Sequence, residues 1–488
     1  MNTARYGDES PIYALATGRG GGAIAVIRLS GVGTLELLAK VFSKPDALLG
    51  ASAYTILHGY IEKEKAHAKT QRRKEYIDEV LVSVFRAPYS YTGEESAEIS
   101  CHGGPAVVRA VEAVLGEAGF REALPGEFTF RAFQNGKVDL TEAEAVMELV
   151  GAEGEAARES ALGRLAGALE AEISGLKSGL VEALARLEFS LDYPDDEIAD
   201  EMNKSGEDGE QIGLIDLSLL KNTRKKLETL AESYKLSRLY TEGALVVIAG
   251  RPNAGKSSLF NRLLKEDRSI VTPIPGATRD WIEARFEVKG IPLRLADTAG
   301  LRSTGDEVEQ LGVERSKKLL EAADIVLYLI DGETGVTEDD VLSTKETKDT
   351  KISKYIFIWN KADKNLPAYE NQSLCPSCPL WLILSATTGQ GMEDLYEALG
   401  KRLGEIAREQ SPGHSASSTG LGTERQKALV EEALGNIAET ISLAEKGEAA
   451  ELIAPVLREA VNNLGEITGE VATDDILEVI FSKFCVGK

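Results

Sequence analysis

The sequence predicts a multi-domain chain of α/β plus all-α class. An N-terminal α/β block is followed by an all-helical block in two pieces, with a second α/β block inserted between them. Three observations predict this. Strand-like and turn-like runs alternate over residues 1–122. Apolar residues recur at helical steps of three and four on both sides of residues 241–405, in 123–240 and again in 406–488. Between those pieces come five short β-rich runs, each ending in a turn or polar residue and separated by helix-like segments. That is the rhythm of a parallel sheet with its loops at the strand ends.

Along the chain, "GGAIAVIRLSG" and "DEVLVSVFRAP" read as strands, and "AVVRAVEAVLGEAG" as a helix ended by glycine. The texture turns helical near "PGEFTFRAFQNGKVDLTEAEAV". Beyond it, Leu162, Leu165, Leu169, Ile173, Leu176, Leu180, Leu184, Leu187 and Leu191 fall on one face of a single long amphipathic helix, which Pro194 stops. A second helix is expected from about Leu217 to Tyr240. From Gly243, "ALVVIAG", "LRLADTAG", "DIVLYLIDG", "YIFIWNKAD" and "WLILSAT" make the second α/β block. "REQSPGHSASSTGLG" is a linker by composition, and helix is expected from Glu424 to the chain end. One helical domain carrying an insertion is the economical reading; two separate helical domains is its rival.

The 488 residues suit about three domains, and 43% hydrophobic with 27% charged residues is ordinary for a soluble globular protein. "MNTARYGDES" lacks the apolar core of a signal peptide and no run is long enough to span a membrane, so a cytoplasmic protein is expected. Cys101, Cys375, Cys378 and Cys485 are too scattered for a disulfide framework, which fits a reducing compartment. A formal net charge of -24 argues against a surface that binds phosphates everywhere. It leaves room for a local basic site, or for nucleic acid held jointly with a basic partner. The basic run Lys69 to Lys74 reads as a solvated loop, and the Cys375/Cys378 pair as a loop too, since a zinc site takes about four ligands.

"GRPNAGKS", Gly250 to Ser257, fits the P-loop pattern and sits where that pattern needs to be, after the strand "ALVVIA" and opening the helix "KSSLFNRLLK". Its backbone N–H groups can close round phosphates, Lys256 can reach the β and γ phosphates, and Ser257 can hold Mg²⁺. "GATRD" supplies Thr278 to complete the Mg²⁺ shell, and "DTAG" places Asp297 beside the metal. In "NKAD", the Asp363 carboxylate can accept two N–H bonds from guanine, and "SAT" can close over the base. This ordered set resembles the translation-factor-related GTPases, which implies guanine as the base. The nucleotide set is then Asn253, Ala254, Gly255, Lys256, Ser257 and Ser258; Thr272, Pro273, Ile274, Pro275, Gly276, Ala277 and Thr278; Asp297, Thr298, Ala299 and Gly300; Asn360, Lys361, Ala362 and Asp363; Ser385, Ala386 and Thr387. Leu301 stands where Ras-like enzymes carry a water-orienting Gln, so another group must orient the water; Asp306, Glu307 and Glu309 are at hand. Asn253 either helps bind a monovalent cation beside the phosphates or hydrogen-bonds its own loop.

Together with "RGGGAIAVIRLSG", "CHGGPAVV", "DTAGLRSTGDEVEQLGVERS" and the final "FCVGK", these motifs resemble the MnmE (TrmE) family of tRNA-modification GTPases from about residue 10 to 488. The resemblance implies an N-terminal α/β domain (1–122) that dimerises and binds a tetrahydrofolate one-carbon donor, of 5-formyl or 5,10-methylene type. It also implies a helical domain (123–240 and 406–488) carrying a GTPase domain (241–405). It further implies a flavin-dependent MnmG (GidA)-like partner in a heterotetramer, acting at carbon 5 of the wobble uridine (position 34) of certain tRNAs. Residue by residue, Asn253 becomes a potassium ligand with backbone groups of Thr272, Ile274 and Ala277, and Glu309 the water-orienting glutamate, with Arg302 nearby. The family's usual Gly-Thr-Thr-Arg-Asp reads Gly276-Ala277-Thr278-Arg279-Asp280 here, so any ligation at Ala277 must use its carbonyl. The folate site maps to Arg28, Glu98, Lys137 and Lys488. A carboxylate such as Glu98 suits the guanidine-like edge of a pterin, and Arg or Lys suits its glutamyl tail.

The tail itself raises a question. Phe484 can anchor, Gly487 loosens the backbone, and the tail is expected to dock on another surface, which the resemblance names as the folate pocket. Cys485 is then either a thiol active in the modification chemistry, the reading preferred, or a small side chain holding the tail. A pure regulatory GTPase would give no reason for "GEFTFRAFQNGK" or "CVGK". A membrane-remodelling one would need a basic or apolar anchor, which the acidic chain does not show.

Overall fold

The computed structural model describes residues 6–18, 22–65, 73–192, 211–212, 215–265, 283–297, 318–336, 354–366, 381–410 and 420–487. The chain forms two compact units: Met1–Met147 with Glu170–Glu188 and Ala454–Lys488, and Glu148–Leu169 with Phe189–Ile453.

The first unit is built on a six-stranded sheet. Its strands are β1 (Ile12–Leu15), β2 (Ile24–Ser30), β3 (Thr55–Lys65), β4 (Arg73–Phe85), β5 (Ser96–His102) and β6 (Arg121–Glu122), in the order β3-β4-β5-β2-β1-β6. Alternation puts Ala25, Ile27 and Leu29, Val80, Val82 and Val84, and Ala97, Ile99 and Cys101 on one face, packed with Leu35, Leu38, Val111 and Leu115 from the covering helices. The helix Pro105–Ala118 stops at Gly119, whose φ of 114° only glycine adopts without strain. The opposite face carries one row across five strands: Ile56, Ser83, Glu98, Arg28 and Ala14. The β3–β4 hairpin corrects one expectation. Strand pairing continues out to Lys65 and Arg73, so Arg73 and Lys74 of the basic run belong to β4 rather than to a loop; Lys69 to Arg72 lie outside the described residues.

Helix geometry differs from the sequence reading in two places. The leucine repeat is carried by two helices, Glu155–Leu165 and Ala168–Asp192, not one. Gly167 breaks them: its φ is +79° and its N–H turns back to the Arg164 carbonyl. The C-terminal helix Asp474–Phe481 ends at Phe481, so residues 482–487 form a non-helical tail. Phe130, Leu140, Ala143, Leu477, Ile480, Phe481 and Phe484 make one apolar cluster, which is where that tail is anchored.

In the second unit the helix Leu217–Glu242 packs along the helix Glu424–Glu445. Asp216 caps the first by accepting from the N–H groups of Ser218 and Leu219, and Thr423 with Gln426 forms a capping box on the second. A short β7–β8 pair (Gln211–Ile212, Ile215–Asp216) precedes them. The second sheet contains β9 (Ala244–Gly250), β10 (Glu283–Val288), β11 (Ile291–Asp297), β12 (Ile325–Asp331), β13 (Tyr355–Asn360) and β14 (Trp381–Ile383), ordered β10-β11-β9-β12-β13-β14. Five strands are parallel as expected; β10 is an antiparallel edge joined to β11 through Lys289 and Gly290, both at positive φ. β9 and β12 are buried along almost their whole length, which explains their continuous apolar sequence.

Candidate nucleotide-binding site

β9 ends at Gly250, and the chain turns over residues 251–255 into the helix Lys256–Lys265. Gly250 has φ +137°, and a Cβ there would stand 2.4 Å from the Leu329 carbonyl oxygen of β12. Asn253 takes φ +65° and is exposed. The Lys256 ammonium donates to the carbonyls of Gly250 and Arg251, each at 2.8 Å. It thus spans the mouth of its own loop, the place a phosphate chain occupies in this motif.

Buried Asn360, at the end of β13, joins the loops. Its Nδ2 donates to the Ala254 carbonyl at 2.7 Å, and its Oδ1 accepts from the Ala386 N–H at 3.0 Å. Gly255 (φ +91°) makes room for it: a Cβ there would meet Asn360 Nδ2 at 2.2 Å. Gly255→Ala should therefore weaken guanine-nucleotide binding at least tenfold, read by calorimetry. The left-handed φ alone costs an alanine about 1–3 kcal/mol, before Asn360 has moved. Next to Asn360, Lys361 sits at φ +62° and donates to Asp331 Oδ2 at 2.7 Å and Glu333 Oε2 at 3.0 Å. The Asp331 carboxylate holds the Lys361 ammonium above the usual lysine range. Lys364, then Lys361, holds Glu333 below the usual carboxylate range. The Ala362 N–H bonds the Leu384 carbonyl, and Asp363 is exposed at the turn. Ser385 Oγ accepts from the Thr388 N–H, while Arg262 donates to the Thr387 and Thr388 carbonyls.

The structure therefore brings together three of the expected segments: Asn253–Ser258, Asn360–Asp363 and Ser385–Thr387. Asp297 closes β11 beside β9, paired with Ile248. Thr272 to Thr278, Thr298 to Gly300, Arg302, Asp306, Glu307 and Glu309 lie outside the described residues, as do Cys375 and Cys378. Asp331 and Glu333 were not foreseen; their only sequence signal is the "DGETG" turn that ends a buried strand.

A second cluster lies in the first unit. Strand register sets Arg28 directly opposite Glu98, and the Arg28 Nε donates to Glu98 Oε1 at 3.0 Å. The guanidinium lies 5.7 Å from the Tyr91 ring and 5.8 Å from the Phe128 ring, and its Nη1 reaches the Gly487 carbonyl at 3.4 Å. Burial pushes the Tyr91 phenol up, and its hydroxyl pairs with Thr129 Oγ1. The tail is fastened nearby. The Cys485 carbonyl accepts from Gly126 N–H at 3.3 Å, and a Cβ on Gly487 (φ +93°) would stand 2.6 Å from the Leu15 carbonyl. So the tail docks beside Arg28 and Glu98, as expected. Lys137 donates to the Pro88 carbonyl at 3.2 Å, and Lys488 lies outside the described residues. Tyr91 and Phe128 were missed, because nothing local in "YSYTGEES" or "GEFTF" marks a ring that flanks a distant arginine.

Cys485 is exposed, whereas Cys101 faces the core of the sheet, where burial pushes its thiol to about 11. At pH 8 an alkylating reagent should label Cys485 long before Cys101, as peptide mass mapping would show; equal labelling would contradict this arrangement.

Among the described residues no group of three or more His, Cys, Asp or Glu is arranged to hold a metal ion. In them no helix is long and apolar enough to cross a membrane.

Comparison with known proteins identifies the family. Residues 140–485 match the family described as MnmE helical domain, and residues 11–137 match the one described as GTP-binding protein TrmE N-terminus. The tRNA modification GTPase MnmE of Treponema denticola is 38% identical over 506 residues, covering 100% of both chains. That of Carboxydothermus hydrogenoformans is 38% identical over 98% of this chain and 100% of its own. Among solved structures, the G domain of the Thermotoga maritima FeoB iron transporter is 28% identical over 34% of this chain and 98% of its own, with a TM-score of 0.25. With a P-loop joined through Asn360 to the turn after β13 in one unit, Cys485 to Gly487 fastened in the other, and full-length relatives of one kind, the chain belongs to the MnmE family of tRNA modification GTPases.

Proposed function

We propose that this chain is a potassium-activated GTP hydrolase whose cycle serves the modification of carbon 5 of a tRNA wobble uridine, with a tetrahydrofolate derivative as carbon donor. The observation that carries the nucleotide part is the pair of Asn360 hydrogen bonds, which lock the base-reading turn to the phosphate loop and to Ala386. In that frame Lys256 exchanges its two loop carbonyls for phosphate oxygens, offering charge where charge builds up on the transferred group. Ser257, with Thr278, would hold Mg²⁺, which neutralises the phosphates when bound. Asn253, exposed in the phosphate loop at φ +65°, is assigned by family resemblance as a potassium ligand shared with carbonyls of Thr272, Ile274 and Ala277. Glu309 is assigned the orientation of the attacking water by family resemblance.

The folate part is supported by the donor set of the first unit. Arg28 bonds both Glu98 and the Gly487 carbonyl and lies near the Tyr91 and Phe128 rings, which groups a carboxylate and a guanidinium beside two aromatic side chains. Lys137 and Lys488 complete the set by resemblance, with Cys485 a candidate thiol beside it. The open sheet face, with Ile24, Ile56 and Leu81 exposed, supports self-association through residues 1–122. The proposed division is that domain, a helical domain from 123–240 and 406–488, and a GTPase domain from 241–405, with an MnmG-like flavoprotein as partner.

The direct test measures GTP hydrolysis in potassium and in sodium at equal ionic strength. Potassium should raise the rate about tenfold or more, as expected for an added cation at the developing charge. Equal rates would remove the potassium assignment and leave the GTPase. Titration of the full chain with 5-formyltetrahydrofolate tests the folate assignment, with Arg28→Ala expected to abolish the binding heat.

A further inference from the structure

The "DGETG" turn after β12 is absorbed by none of the motifs above, yet it is laced to the turn that reads the base. Asp331 uses both carboxylate oxygens: Oδ1 accepts from the Glu333 N–H at 2.9 Å and Oδ2 from Lys361 Nζ at 2.7 Å. Gly332 N–H bonds the Asn360 carbonyl at 3.0 Å, and a Cβ on Gly332 would stand 2.4 Å from that same oxygen. Glu333 bridges Lys361 and Lys364, its Oε1 accepting from Lys364 Nζ at 2.7 Å. On the other side, Lys364 and Asn365 N–H groups return to the Lys361 carbonyl.

Lys361 is the pivot of this arrangement. It holds a left-handed φ without being glycine, and its neighbours Asn360 and Asp363 are the residues that must face the phosphate loop and the base. A lysine free to leave that conformation would redirect both. The Asp331 side chain is 11% exposed and that of Lys361 22%, so their bond is screened far less than a surface pair. Glu333, at 44%, is screened more and should matter less.

We propose that Asp331 is a positioning residue for guanine recognition, acting through Lys361, with Glu333 as a weaker second support. This rests on the guanine-site reading above. Asp331→Asn keeps the shape and can still accept from the Glu333 N–H, but it loses the charged bond.

The test uses the full chain, a fluorescent N-methylanthraniloyl GDP, and the matching ADP as control. Asp331→Asn should raise the GDP dissociation constant about tenfold, mainly through faster release, and Glu333→Gln about twofold to threefold. The decisive readout is the Lys361→Met background, which keeps the alkyl chain without the ammonium. There neither substitution should weaken GDP any further. Additive losses in that background, or unchanged release from Asp331→Asn, would overturn the proposal. If Asp331→Asn fails to fold, Glu333→Gln carries the same comparison from an exposed position. A wild-type chain that binds ADP as well as GDP would instead sink the guanine reading itself, so the two failures are distinguishable.

Discussion

Replacing Glu127 by alanine should destabilise the N-terminal unit by about 3–5 kcal/mol, the cost of breaking a buried ion pair from one side. The Glu127 side chain is 1% exposed. It accepts from Arg121 Nη1 at 3.0 Å, from Arg131 Nη2 at 3.0 Å and from the Leu124 N–H at 2.8 Å. Alanine would leave two guanidiniums facing a cavity. Arg131 would keep Glu94 and the carbonyls of Asp8 and Ser10, whereas Arg121 would keep, among the described residues, Ser10 Oγ, the Glu122 carbonyl and a longer contact to Asp8. The network also reaches Ser30, which donates to Glu94 two residues beyond Arg28 on β2. Loss of Glu127 should therefore loosen the surroundings of Arg28 as well. Amide exchange in the helix Glu127–Gln134 should speed up about 10²-fold to 10³-fold in the intact chain. Glu155→Ala, which removes an exposed partner of Arg158, should leave exchange there at the wild-type rate. Unchanged protection in Glu127→Ala would show that water, not the ion network, satisfies this site.

That network shows where a sequence stops being legible. Charged residues are rarely fully buried, so Glu127 and Arg131 in "GEFTFRAF" read as the polar side of a short helix. Arg131 is buried against partners far away in sequence, Asp8, Ser10 and Glu94, and Glu127 is buried with it through Arg131, Arg121 and Leu124. Arg28 and Glu98 are likewise 70 residues apart and meet only through strand register. Resemblance could name them, but no spacing could. The nucleotide site was the opposite case: strand, glycine loop and helix are contiguous, so "ALVVIAGRPNAGKSSLF" specifies its own geometry. The tail falls between the two. Phe484 and Gly487 carried a local hint of docking, and the structure adds the surface, with Gly126, Phe481 and Leu15 at close approach.

The misread elements have local causes. Gly167 sits inside a run whose leucine period is almost unbroken, and a single glycine is a weak signal against nine apolar positions. β10 lacks an apolar signature because, in "EARFEV", Phe286 and Val288 are buried while Ala284, Arg285 and Glu287 are half-buried. An edge strand is half solvated and half polar, so it lacks the continuous apolar signature of β9 or β12.

Asp363→Asn should raise the KM for GTP about 10²-fold to 10³-fold and transfer preference to xanthosine triphosphate. Asp363 stands exposed in a turn whose backbone is fixed on both sides, by Asn360 to Ala254 and by Ala362 to Leu384. In the proposed pose its two oxygens accept the N1–H and the 2-amino group of guanine. Each bond to a charged partner is worth about 1.5–3 kcal/mol. An asparagine keeps one acceptor, but its NH₂ then faces the 2-amino group, donor against donor. Losing one bond and adding that opposition comes to about 3–4 kcal/mol, hence the expected change in KM. Xanthine carries a carbonyl at that carbon, so the same amide becomes complementary again, its oxygen meeting N1–H and its NH₂ meeting the new oxygen. Adenine offers neither pattern and should gain nothing. Recovery with the xanthine nucleotide separates this from general damage, because a misfolded turn would reject every base alike. If the variant hydrolysed GTP with the wild-type KM, the base would have to be read somewhere other than Asn360 to Asp363. The Asp331–Lys361 support would then have no base to position.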